Sequence, residues 1–149
     1  QTGKIYIDEA RAAVARAGEM PMLYVSDFIS DMATAYRAAD LVISRAGAGS
    51  ISELCLLAKP VILVPSPNVA EDHQTKNALA LVNKNAALYV KDAEAGGRLL
   101  DTAIETVQQA GTLNELSTNI ARLAFKDSAN IIADEVYKLA VNYKKEHGR

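Results

Sequence analysis

The segment Asp40 to Glu53, DLVISRAGAGSISE, holds the residues best placed to do chemistry. An apolar run passes into Arg45-Ala46-Gly47-Ala48-Gly49-Ser50, and a helical pattern follows. Glycines let a backbone come close to a ligand. The free N–H groups at a helix start attract anions, with the helix dipole in support. Ser50 offers a hydroxyl donor. Glu53, one helical turn further on, offers a carboxylate to a ribose diol. Strand, glycine turn, helix and carboxylate together outline a nucleotide diphosphate site. The same residues also suit a tight βα turn with a serine cap and a solvated glutamate, and this segment alone does not choose between the two.

Two further segments carry polar or flat-walled chemistry. In Val64 to Ala78, VPSPNVAEDHQTKNA, a strand ends, a loop with two prolines follows, and a helix opens near Asp72. His73, Gln74 and Asn77 offer donors and acceptors suited to sugar hydroxyls; ordinary polar residues at a surface helix start would look the same. In Ser26 to Met32, SDFISDM, the apolar Phe28, Ile29 and Met32 sit at a loop where they could wall a flat base, or simply form edge core. Each segment follows a strand, and ligands of open α/β sheets bind beyond the carboxyl ends of strands. A joint site is therefore better supported than any one segment.

The elements that must position these residues are legible in the pattern. Met22–Val25, Leu41–Ser44, Val61–Val64 and Ala87–Val90 are short Val/Ile/Leu-rich runs with little alternation, which suits strands of a parallel sheet buried on both faces. Helices are predicted over Ile5–Ala17, from a Ser30 cap through Met32, Ala35 and Ala39, from near Ser50 to before Pro60, and from an Asp72 cap to about Lys84. Alternating strands and helices imply right-handed βαβ units in an open α/β sheet. Three amphipathic stripes close the chain: Leu99, Leu100, Ala103, Ile104 and Val107; Leu113, Leu116, Ile120 and Leu123; Ile132, Val136, Leu139 and Tyr143. Gly111 is expected to separate the first two, and Lys144 to Arg149 to be a solvated end.

Composition narrows the function classes. The chain has 149 residues, half of them apolar, enough for one folded core. A net charge of −2 gives no basic surplus for a nucleic-acid backbone. The single cysteine, Cys55, excludes an intramolecular disulfide, fits a reducing compartment, and reads as a small buried side chain. His73 and His147 lie far apart without metal-ligand spacing. No metal or cofactor is called for. No apolar run approaches the roughly 20 residues of a membrane span, and no signal peptide is visible.

Phe28 to Ala78, and SRAGAGSISE with EDHQTKNA above all, resembles the carboxyl-terminal domain of the transferases that move N-acetylglucosamine from UDP-GlcNAc onto lipid I in peptidoglycan synthesis. The resemblance runs from Gln1-Thr2-Gly3-Lys4 to about the last helix. It implies a GT-B enzyme with two Rossmann-like domains, of which this would be the donor half. Ile29 would hold uracil through its backbone N–H and C=O, with Phe28 and Met32 beside it. Ala48, Gly49 and Ser50 would cradle the diphosphate and Glu53 the ribose hydroxyls. His73, at a position often occupied by glutamine in the family, and Gln74 would meet the GlcNAc hydroxyls, with Asn77 a secondary candidate. Arg45 matches a recurring family residue of unassigned role.

The family's sheet order, 3-2-1-4-5-6, makes the four runs strands three to six. The chain is then expected to be a piece of a longer protein. It would lack strand one, its phosphate loop and the acceptor domain with the catalytic base, and it would transfer no sugar alone. The gap would close by pairing Met22–Val25 with Leu41–Ser44, or be filled by a strand-pairing dimer. The parent would work on lipid I at the cytoplasmic face of the inner membrane, as a peripheral protein. A stand-alone UDP-GlcNAc-binding subunit, a glycolipid glycosyltransferase, a UDP-GlcNAc 2-epimerase and a non-enzymatic α/β module are the alternatives.

Overall fold

A computed structural model describes residues 1–18, 22–68 and 72–147, with the side chains of Glu146 and His147 left out. The chain divides into two compact units, Gln1–Ala39 and Asp40–Arg149, each considered by itself. The first holds α1 (Ile7–Ala17) and α2 (Met32–Ala38). The second runs β1 (Val42–Ser44), α3 (Ala48–Leu56), β2 (Val61–Leu63), α4 (His73–Val82), β3 (Leu88–Tyr89), a 3-10 turn at Asp92–Glu94, α5 (Ala95–Val107), α6 (Ala110–Ala121) and α7 (Ser128–His147).

The sheet is parallel, in the order β1-β2-β3. Val42 lies opposite Val61, Ile43 opposite Ile62 and Ser44 opposite Leu63, while Ile62 and Leu63 face Leu88 and Tyr89. Helices alternate with these strands, which makes the unit the Rossmann-like α/β sheet the sequence implies. Burial on both faces holds for β2 alone, where every residue is buried. β1 is an edge strand, and Ile43 remains 48% exposed. The core gathers around β2: Ile62, Val64 and Val90 pack with Leu88, Leu99 and Ala103. Each large aliphatic side chain taken fully from water here contributes about 1.5–3 kcal/mol.

Two helices of this unit stop by the same device. Ala58 adopts a left-handed φ of 52° after α3, and the amide of Lys59 reaches back to the Leu54 carbonyl at 3.0 Å. Asn85 does likewise after α4 with φ 50°, and the Ala86 amide bonds the Leu81 carbonyl at 3.0 Å. These six-to-one closures satisfy orphan carbonyls and turn the chain into the next strand. Helix α6 is tied to both turns. Ser117 Oγ donates to the Ala58 carbonyl at 2.8 Å, and Asn119 Nδ2 to the Asn85 carbonyl at 3.1 Å.

Several sequence expectations need correction. Met22–Val25 forms no strand; it lies in no ladder, with Met22 97% and Tyr24 83% exposed. An apolar run becomes a strand only where a partner takes its backbone groups. In the same unit, the amides of Thr2 and Gly3 do bond the carbonyls of Ser26 and Asp27, at 2.9 and 3.0 Å. Asp31, not Ser30, caps α2, accepting the Thr34 amide at 3.0 Å. Helix α3 starts two residues before Ser50, with Gly47 as its cap residue. Asp72 occupies the cap position of α4, but in a left-handed conformation and with no side-chain cap bond. Gly111 lies inside α6, and the break falls at Gln108 and Gln109. Helix α7 continues to His147 through the expected polar end. Its stripe of Ile132, Val136, Leu139 and Tyr143 stays 60–69% exposed, so periodicity gives the helix but not the burial of its apolar face. Among the described residues, no helix is long and apolar enough to cross a membrane.

Candidate functional site

The glycine turn sits where β1 ends. The first intrahelical bond of α3 runs from the Ile51 amide to the Gly47 carbonyl, at 3.0 Å. The amides of Ala48, Gly49 and Ser50 precede it and so point out of the helix start. These are the three residues expected to cradle a diphosphate. Ala48 and Gly49 are exposed and Ser50 half-buried. A Cβ built on Gly49 would meet no heavy atom within 4 Å. The protein's own packing does not require glycine there, so the open space is available to an approaching ligand. Glu53 is exposed on the next turn of the same helix.

The turn is braced from α4. Gln74 Oε1 accepts the amides of Ala46, at 3.2 Å, and Ser66, at 2.9 Å. Asn77 Nδ2 donates to the Ala46 carbonyl at 3.2 Å. Ala46 itself is fully buried. Gln74 and Asn77 are the groups expected to meet sugar hydroxyls, and one amide atom of each holds backbone. His73 is exposed at the first position of α4. Glu71, in the EDHQTKNA stretch, lies outside the described residues.

Arg45 has partners that its neighbours in sequence do not reveal. Its Nη1 donates to the carbonyls of Val64, at 3.2 Å, and Pro65, at 3.4 Å, and to Asp92 Oδ1. The available signal was positional: Asp92 follows the last strand, as Arg45 follows the first. Among the described residues no cluster of His, Cys, Asp and Glu could hold a metal ion. Cys55 is 4% exposed, and burial raises its thiol pKa above the ordinary range.

In the first unit, Ile29 donates its amide to Gln1 Oε1 at 3.1 Å. A carbonyl-type acceptor thus already occupies the edge expected to read uracil. Phe28 is 67% exposed, with its amide held by Asp27 Oδ1 at 2.9 Å. Met32 is half-buried at the start of α2.

With this geometry in view, comparison gives the class. The glycosyltransferase family 28 C-terminal domain matches residues 1–132, and the chain belongs to that family. Among its relatives, the UDP-N-acetylglucosamine--N-acetylmuramyl-(pentapeptide) pyrophosphoryl-undecaprenol N-acetylglucosamine transferase of Phocaeicola vulgatus is 79% identical over 149 residues, all of this chain and 40% of that protein. The transferase of the same name from Bacteroides fragilis is 72% identical over 94% of this chain and 37% of its own length. The crystal structure of Acinetobacter baumannii MurG superposes with a TM-score of 0.79 at 29% identity, covering 91% of this chain and 41% of that one. The chain therefore spans about two fifths of the length of the relatives it matches.

Proposed function

We propose that this chain is the donor-side part of an inverting glycosyltransferase that moves N-acetylglucosamine from UDP-GlcNAc onto lipid I. One observation carries the reading. Three outward amides, of Ala48, Gly49 and Ser50, stand at a helix start on the carboxyl edge of a parallel sheet, with nothing within 4 Å of a Cβ on Gly49. That arrangement suits the two phosphates of a nucleotide sugar. The names of the relatives supply the sugar and the acceptor.

In this reading the diphosphate lies against Ala48, Gly49 and Ser50, and Glu53 takes the ribose hydroxyls. His73 meets the sugar directly. Gln74 and Asn77 act at least as much by holding Ala46 in place. Uracil is assigned separately to Phe28, Ile29 and Met32, with the base taking the place of Gln1 Oε1 on the Ile29 amide. The acceptor hydroxyl displaces UDP at the anomeric carbon with inversion. The helix dipole and the outward amides stabilise the charge that develops on the departing diphosphate. The rest of the longer protein supplies the acceptor site and base, at the cytoplasmic face of the membrane. For the chain by itself, a strand-pairing dimer is a further part of the proposal.

The direct test is transfer. Radiolabelled N-acetylglucosamine should pass from UDP-GlcNAc to lipid I when the longer protein carrying this chain is present. No label on lipid I, with label released or moved elsewhere, would reject the reading.

A further inference from the structure

We propose that Arg45 is a positioning residue for the donor, acting through a cross-link to Asp92 that fixes the carboxyl ends of all three strands around the start of α3. The inference rests on the donor-binding reading above and adds a role for a pair that reading leaves unused.

Arg45 is the first residue after β1 and lies two residues before Gly47, the cap residue of α3. Its Nη1 reaches the carbonyls of Val64 and Pro65, the first two residues after β2, at 3.2 and 3.4 Å. The same nitrogen meets Asp92 Oδ1 in the turn that follows β3. One atom thus joins all three strand ends. The two side chains are 55% and 37% exposed, so solvent screens their attraction and the pair adds little to stability. Its effect is on geometry. Gln74 and Asn77 hold Ala46 from the α4 side, and Arg45 holds the preceding residue from the β2 and β3 side. The outward amides of Ala48, Gly49 and Ser50 are aimed by the backbone between these two fixings. Small misplacements of such donors are costly to binding and transfer.

A cation beside a diphosphate site has an obvious rival use, a direct ion pair with phosphate. Asp92 separates the two roles, because they predict opposite signs. If Arg45 served the ligand directly, Asp92 would compete for it, and Asp92→Asn would improve donor binding. If Arg45 positions the turn, Asp92→Asn weakens it.

The experiment measures steady-state kinetics on the longer enzyme carrying this chain, for wild type, Arg45→Ala, Asp92→Asn and the double variant. Arg45→Ala should raise the donor KM about tenfold with the acceptor KM little changed. Asp92→Asn keeps an acceptor oxygen but loses the charge, so it should raise the donor KM only about threefold, and the double variant should be no worse than Arg45→Ala, since both changes act on one link. A donor KM that Asp92→Asn leaves unchanged or lowers, or fully additive effects, would overturn the inference. Backbone amide resonances of Ala46 to Gly49 give a second readout independent of turnover. Both single variants should shift them alike, and an Asp92→Asn spectrum identical to wild type there would also overturn it. A wild-type enzyme that uses no UDP-GlcNAc would sink the donor reading and this role together, whereas failure in the variants alone sinks only the role of Arg45.

Discussion

Gln74 Oε1 accepts the backbone amide of Ala46 at 3.2 Å, which ties the first turn of α4 to the residue before the glycine cap of α3. The same oxygen takes the Ser66 amide at 2.9 Å. Replacing Gln74 by Ala should therefore leave the amide of buried Ala46 and that of half-buried Ser66 without their acceptor. Each such loss costs about 1–3 kcal/mol where water cannot replace the partner. Urea denaturation of the Gln74→Ala chain should show a lower midpoint with an unchanged slope. A midpoint equal to wild type would mean that water or another group takes over both amides.

Gly49 should separate ligand demands from fold demands. A Cβ there meets nothing within 4 Å, and its φ is not in the left-handed region. Gly49→Ala should leave the melting temperature unchanged or raise stability by up to about 1 kcal/mol, as alanine suits a helix better. Donor affinity should nevertheless fall about tenfold, equivalent to 1.4 kcal/mol. Thermal melts and donor titration on the same protein check both halves. Full donor binding by the variant would remove the reason given for this glycine.

Glu53→Ala should mainly affect donor use. Loss of a charge-assisted bond to a ribose hydroxyl costs about 1.5–3 kcal/mol, roughly tenfold or more in apparent affinity. The donor KM of the longer enzyme is the readout. An unchanged value would make Glu53 a solvated helix residue.

How far the sequence discloses these features depends on what each one needs. β1, β2 and β3 are legible because local apolar runs at Val42, Val61 and Leu88 find neighbours within their own unit. Met22–Val25 has the same look and forms no strand, since pairing is a property of the partner and not of the run. The outward amides of Ala48, Gly49 and Ser50 follow from a local rule about helix starts, and they are where the motif puts them. The contacts of Gln74 with Ala46 and of Arg45 with Asp92 span 28 and 47 residues, and no local rule reaches that far. Asp31 displaces Ser30 as the α2 cap by a single residue, a choice that side-chain geometry makes and residue type does not.

Cys55 gives a pH prediction with a definite sign. Burial raises its folded pKa above the ordinary 9.0, while the unfolded thiol ionises near that value. The unfolded state therefore releases a proton first as pH climbs. Stability from this site is complete below the unfolded pKa and is lost as pH rises toward the folded one. Denaturation midpoints should fall more steeply above about pH 9 in wild type than in Cys55→Ala. At neutral pH the thiol should react with a disulfide reagent only as fast as the chain opens. Immediate stoichiometric labelling of the folded chain would contradict the buried placement.

Nucleotide selection by the longer protein carrying this chain tests the central claim most directly. Calorimetric titration should compare UDP-GlcNAc, UDP and ADP under one buffer and salt condition. The uridine ligands are expected to bind with clear heats, and ADP at least about tenfold more weakly, a difference of 1.4 kcal/mol. Equal binding of UDP and ADP, or binding of neither uridine ligand, would contradict the account.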